Sequence, residues 1–288
     1  MLVRAGVALA AALFALIAYL YLTLPDVREL ATTNPTRTAW MQLREDEAEQ
    51  DGKRLRHVHQ WVPYSRISQN LKRAVLVAED SAFWDHEGID VEQIRESVRI
   101  NIERGAAVRG ASTITQQLAK NLYLSPSRDP LRKLRELIIA RRMEAALPKA
   151  RIFEIYLNVI EWGDGIWGAE AAARTYFGVP ASALGREQAA LLAAAIINPR
   201  VLNPARPTAR LVRRQRLILG RMGSYEPPAP APVVVPDAQE SVPEDEAPRP
   251  ADELPPPDEP APAEPIPETI PPSESVPAPP AESVPPPL

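Results

Sequence analysis

The chain has 288 residues, 45% of them hydrophobic, enough for one sizeable domain or two small ones. It contains no cysteine, which excludes disulfides and thiolate metal sites. The formal charge of −4 hides a division: residues 226–288 hold fourteen acidic side chains against Arg249 alone, so the first 225 residues carry +9. A body this basic suits an anionic partner, whether nucleic acid, phospholipid or a phosphate-bearing substrate.

Residues 1–4 form a short tail, and Ala5–Leu24 follow without a charge. Twenty residues of helix rise about 30 Å, the thickness of a bilayer's hydrocarbon core. Tyr19 and Tyr21 stand where interfacial anchors belong, and the run is long for a signal peptide, so an uncleaved transmembrane anchor is favoured. Only Arg4 and the terminal amine precede the span, which predicts the tail inside and the body outside. Residues 25–60 read as a polar stalk. From 61 to 225 apolar residues recur every three or four positions with Gly and Pro between, and no sustained alternation marks a sheet. The pattern predicts helices over Ser68–Ala82, Val91–Arg104, Ser112–Asn121, Pro130–Ala146, Ala150–Val159, Gly165–Tyr176, Gly185–Ile197 and Pro207–Met222. Residues 226–288 hold 23 of the 33 prolines and no aromatic residue, so they are expected to be a disordered spacer or a ligand for a Pro-binding partner.

Four clusters carry chemistry. Glu79 and Asp80 end an apolar run, Ala74–Ala78. Adjacent carboxylates repel and resist desolvation, which raises a pKa and suits a general base, although a solvated helix end has the same sequence. Gly110–Asn121 gathers Ser112, Thr113, Thr115, Gln116, Gln117, Lys120 and Asn121, groups that hold sugars and phosphates, with Ser112 also a fair helix cap. Arg132, Lys133 and Glu136 share one helix face, as ordinary surface ion pairs or as a cationic cradle for a diphosphate. Lys149–Asn158, followed by Gly163, Gly165 and Gly168, reads as structural by itself. His57, His59 and His86 make a poor metal site, with no cysteine and no second histidine after His86-Glu87.

In order and spacing these clusters resemble glycosyltransferase family 51, the peptidoglycan polymerases, over about Trp61–Pro204. The first motif, Glu-Asp-x-x-Phe-x-x-His-x-Gly, is met by Glu79, Asp80, Phe83, His86 and Gly88. The second, Gly-x-Ser-Thr-x-Thr-Gln-Gln-x-x-Lys-Asn, runs from Gly110 to Asn121, and the third, Arg-Lys-x-x-Glu, is Arg132, Lys133 and Glu136. The fourth is met at Lys149, Ile152, Glu154, Tyr156, Leu157 and Asn158, with Phe153 where leucine is usual. The fifth lies in Glu187–Ala193 and Asn198-Pro199, and Val179 stands where lysine is frequent.

The resemblance implies a mainly α, lysozyme-like domain with a small membrane-proximal jaw lobe, anchored in a bacterial inner membrane with the domain on the extracytoplasmic side. It implies polymerisation of lipid II, a disaccharide-pentapeptide on polyprenyl diphosphate, into β-1,4 glycan strands with inversion at C1. Glu79 is then the base, Lys120, Arg132 and Lys133 the cradle, and Glu136 a second catalytic carboxylate that orients those cations or holds a divalent ion. Asp80, Phe83, His86, Gly110, Ser112, Thr113, Thr115, Gln116, Gln117, Asn121, Tyr156 and Asn158 are the expected substrate-binding residues. No cofactor is obligatory, with Mg or Mn at most stimulatory. The expected partners are lipid II, the growing strand, membrane lipids and transpeptidases or other division and elongation proteins, not nucleic acid. The Ser-x-x-Lys and Lys-Thr-Gly signatures of a transpeptidase are absent from the sequence, so the monofunctional form is expected. The nearest rival is an enzyme that cleaves the finished polymer, which needs no diphosphate cradle; a non-catalytic adaptor is the second.

Overall fold

The computed structural model describes residues 2–54, 56–106, 110–124, 130–223 and 225. The expected spacer, 226–288, lies outside the described residues. Helix α1 covers Leu2–Leu22, with Val3, Val7, Leu9 and Phe14 exposed along it. Among the described side chains, which leave out Leu2, Leu16 and Leu20 of α1, no helix is long and apolar enough to cross a membrane. The expected stalk is corrected: residues 25–60 bury Val27 and Leu30 and include helix α2, Ala39–Gln50. The hydroxyl of Thr38 caps α2 by accepting the Met41 N–H at 3.1 Å, and Met41 is fully buried.

Strand β1 is Val58–His59. Helix α3, Gln69–Glu79, starts where Ser68 Oγ accepts the Leu71 N–H at 3.1 Å and buries Leu71, Ala74, Val75 and Leu76. It stops because Asp80 turns out of the helix, φ −162 and ψ 83, which leaves Glu79 as the last helical residue. Helix α4, Val91–Arg104, runs from the Asp90 cap to Gly105 at φ +60, a left-handed stop that favours glycine. Helix α5, Ile114–Tyr123, is capped by Thr113 rather than Ser112: Thr113 Oγ1 accepts the Gln116 N–H at 3.2 Å. Helix α6 is Pro130–Ala146, and after Pro148 helix α7 is Lys149–Val159. Ile152, Phe153, Ile155, Tyr156, Leu157, Asn158 and Val159 of α7 are all buried, which makes it the central helix.

The helix expected over Gly165–Tyr176 is corrected. Strand β2, Glu161–Gly163, turns into β3, Ile166–Trp167, which pairs antiparallel with β2 and parallel with β1. Gly165 at φ +66 and Gly168 at φ +82 break the helix there. A Cβ on Gly165 would collide with the Arg56 carbonyl, and one on Gly168 would lie 2.6 Å from the Asn158 carbonyl oxygen. Helix α8, Ala169–Phe177, begins only after these turns. Strands of two or three residues are too short for alternation to register in the sequence. Helices α9, Arg186–Ala195, and α10, Ala209–Met222, pack with α3, while α5 packs against α6, α7 and α2. Glu79, at the end of α3, is where the two groups meet, touching Gln117 of α5 and Arg214 of α10.

Asn158 knits the core. Its Oδ1 accepts the Val62 N–H at 2.9 Å, and Nδ2 donates to the carbonyls of Val62 and Glu154, each at 2.9 Å. It has no exposed surface. Its amide is committed to backbone groups, the usual arrangement for a buried polar side chain.

Candidate active site

Glu79 closes α3 with its side chain only 13% exposed. Oε2 accepts the Gln117 amide of α5 at 3.0 Å, and Oε1 faces Arg214 Nη2 of α10 at 3.5 Å. Tyr156 O–H donates to Gln117 Oε1 at 2.9 Å, which fixes the amide with its NH₂ toward Glu79. Burial pushes the Glu79 pKa up, and neighbouring Asp80 adds to this; the Gln117 hydrogen bond, Arg214 and Lys120 pull it back. Burial, then Glu79 and Asp80, hold the Tyr156 phenol well above its ordinary pKa, so it remains a donor.

Asp80 does different work. It is 1% exposed and accepts His86 Nε2 at 3.1 Å and the Ile114 N–H at 2.9 Å. His86 Nδ1 accepts the Gly88 N–H at 3.1 Å, which places the ring proton on Nε2. The Gly88 carbonyl in turn takes Thr113 Oγ1 at 2.7 Å and Gln116 Nε2 at 3.1 Å. The loop after Glu79 is thereby stitched to the start of α5. Asp80, His86 and Asp90 bring possible metal ligands within 4.8 Å of one another. Those atoms already serve one another and the backbone, Asp90 accepting the Gln93 N–H at 2.7 Å, so the donor set does not fit an added cation.

Phe83 is fully buried against Phe153, with Lys149 Nζ 4.3 Å from its ring centre. Lys149 and Thr115 both bind Glu144, at 2.8 and 2.5 Å. Asp80, Phe83, Thr113, Thr115, Gln116 and Tyr156 are all buried, and the His86 side chain is only 9% exposed. The polar atoms of Asp80, Thr113 and Gln116 brace the loop after Glu79 and the start of α5, while Tyr156 also lines the cavity beside Lys120.

The cations gather on the other side of α5. Glu136 is buried, with Arg132 Nη1 at 3.2 Å on one oxygen and Lys133 Nζ on the other. Lys133 also reaches Gln116 Oε1 at 3.1 Å and Ser112 Oγ at 3.4 Å. With both oxygens given to cations, Glu136 does not fit a divalent ion. Burial lowers the Lys120 pKa; Glu136 opposes this, while Arg132 and Lys133 add to it. Lys120 Nζ lies 5.0 Å from the Trp40 ring centre. A cavity of about 230 Å³ opens beside it, lined in part by Trp40, Arg44, Gln117, Lys120, Asn121 and Asn198. Gly110 is exposed near Ser97, whose hydroxyl donates to its carbonyl at 3.2 Å.

Residues 48–223 match the family described as Transglycosylase. The chain belongs to the transglycosylase family. It is 51% identical over 191 residues to the biosynthetic peptidoglycan transglycosylase of Janthinobacterium sp. (strain Marseille), covering 66% of this chain and 83% of that protein. It is 47% identical over 195 residues to the same-named protein of Nitrosospira multiformis, covering 68% and 85%, and 49% identical over 195 residues to that of Herminiimonas arsenicoxydans, covering 68% and 84%.

Three residues of this transglycosylase escaped sequence reasoning: Trp40 beside Lys120, Glu144 beneath Thr115, and Arg214 against Glu79. Each lies on a helix remote in sequence from the group it serves, and no local pattern marks it. Arg214 has a measurable consequence. Its charge favours ionised Glu79, and only the ionised form can accept a proton. Replacing Arg214 with Gln raises the Glu79 pKa further, so the acidic limb of the pH–kcat profile moves to higher pH. Arg214→Lys keeps the charge and moves it less. An acidic limb unmoved in Arg214→Gln would show that the guanidinium does not tune this base.

Proposed function

We propose that this transglycosylase, an enzyme of peptidoglycan synthesis, polymerises lipid II into β-1,4 glycan strands and releases polyprenyl diphosphate. One observation carries the reading: α5 holds the base on one side and the cations on the other. Gln117 holds Glu79, Gln116 and Ser112 hold Lys133, and Lys120 stands between the two groups. Glu79 takes the proton from the acceptor 4-hydroxyl, whose oxygen attacks C1 of the donor sugar from the face opposite the diphosphate. The C1–O bond breaks and the diphosphate departs with its electron pair. Inversion follows from that geometry. A diphosphate leaves without a strong acid, provided positive charge waits at the departing oxygens. Lys120, Arg132 and Lys133 supply it, and Glu136 orients Arg132 and Lys133 instead of holding a metal.

The reading includes a membrane anchor. Ala5–Leu24 lack any charge and α1 exposes its apolar side chains, which supports a membrane anchor, with Arg4 on its inner side and the body on the extracytoplasmic side. An anchored enzyme meets lipid-borne substrates at high effective concentration. The test is turnover of labelled lipid II by the full chain in detergent. Polymer and polyprenyl diphosphate are expected to appear in step. Cleavage of preformed strands with no polyprenyl diphosphate released from lipid II would replace this reading with the lytic one.

A further inference from the structure

A second cavity, about 400 Å³, adjoins the one beside Lys120, and Arg44 and Arg200 line both. Its remaining wall comes from the end of α2, the chain leading to β1, and the turn between β2 and β3. Five cations line it, Arg44, Lys53, Arg54, Arg56 and Arg200, against the carboxylates of Glu47, Asp51 and Asp164. The pairing is specific. Arg44 binds Glu47 at 2.7 Å, Lys53 binds Asp51 at 2.7 Å, and Arg200 binds Asp164 at 3.2 Å. Two cations are left over. Among the described residues neither Arg54 nor Arg56 has a carboxylate partner, and both are exposed. A guanidinium presents a planar fork of N–H donors that matches a carboxylate.

The position of this surplus points to its ligand, and the argument rests on the lipid II reading above. Lys120 and the cations near it mark where the diphosphate leaves, so donor C1 lies there. The donor's sugars then extend into the cavity beside Lys120, and what they carry comes next to the second one. A lipid-linked disaccharide-pentapeptide carries carboxylates on its peptide. We propose that Arg54 and Arg56 bind the stem-peptide carboxylates of the donor chain, making the second cavity a peptide subsite of the glycosyltransferase.

The test crosses two enzymes with two substrates. Steady-state kinetics of the full chain are measured on lipid II and on lipid II with every stem carboxylate converted to an amide. The second enzyme is the Arg54→Ala, Arg56→Ala double variant, whose changes are both on exposed side chains. Wild type is expected to show a KM about 5-fold higher for the amidated substrate, the scale of two solvent-accessible ion pairs. The double variant should show that raised KM on both substrates, with kcat unchanged. Equal discrimination by both enzymes, no discrimination by wild type, or an equal loss on both substrates in the variant would each overturn the proposal. Absence of polymer from wild type on either substrate is a different failure: it would sink the lipid II reading itself.

Discussion

Replacing Glu79 with Gln is expected to lower lipid II turnover about 10³-fold, the scale of lost general-base catalysis, while the melting temperature at neutral pH stays the same or rises. The two halves have one cause. Glu79 is nearly buried at the end of α3, and burial holds its pKa above the ordinary carboxylate range. That makes it a stronger base than an exposed carboxylate and also a burden on the fold. A carboxyl whose folded pKa is raised contributes full stability below the unfolded pKa and loses it as pH rises through the folded pKa. Above both values the folded state carries an ionised group that burial disfavours. Glutamine fills the same space, can still accept from Gln117 and has no charge to desolvate. Its stability advantage should therefore shrink as pH falls below the range in which Glu79 ionises. Thermal melts at several pH values beside a turnover assay check both halves. Retention of more than a tenth of wild-type turnover would remove Glu79 from the role of base. A melting temperature several degrees lower would show that the carboxylate braces the fold.

Lys120→Ala should come next in size, with kcat down by roughly 10²–10³-fold and a much smaller change in KM. Its charge sits on α5 between Glu79 and Glu136, partly withdrawn from water and close to the Trp40 ring. A charge so placed interacts more strongly with developing negative charge than one in bulk solvent. Because charge grows on the departing oxygens as the bond breaks, the loss falls on kcat. Lys133→Ala makes the useful contrast. Its side chain is 45% exposed and is shared among Glu136, Gln116 and Ser112, so its loss should cost less. Single-turnover rates at saturating lipid II separate the two variants. If Lys120→Ala raised KM alone, the lysine would bind substrate in the ground state without assisting departure of the diphosphate.

Local chemistry made much of this molecule readable from its residues. The bounds of α4 and α6 agree with the three- and four-residue recurrence of apolar positions in the sequence. Glu79 could be singled out because a carboxylate at the end of an apolar helix is a local feature, and the Arg132–Lys133–Glu136 group because three- and four-residue spacings meet on a helix face. Tertiary structure decided the rest. Whether Glu79 is solvated or buried depends on α5 and α10 closing over the end of α3, and residues distant in the chain make that enclosure. Residues 25–60 resemble a stalk in sequence because their polar composition conceals Val27, Leu30 and Met41, which matter only once a surface exists to cover them. The same holds for Asn158, a plausible sugar ligand by type, whose amide is used up by backbone groups of Val62 and Glu154. Sequence by itself determined which groups are available for proton transfer and charge stabilisation, since these are properties of residue type and short spacing. Only the packing of helices remote in sequence decided which of them are dry, which are paired and which face the cavity, because burial and electrostatic coupling are properties of neighbours in space.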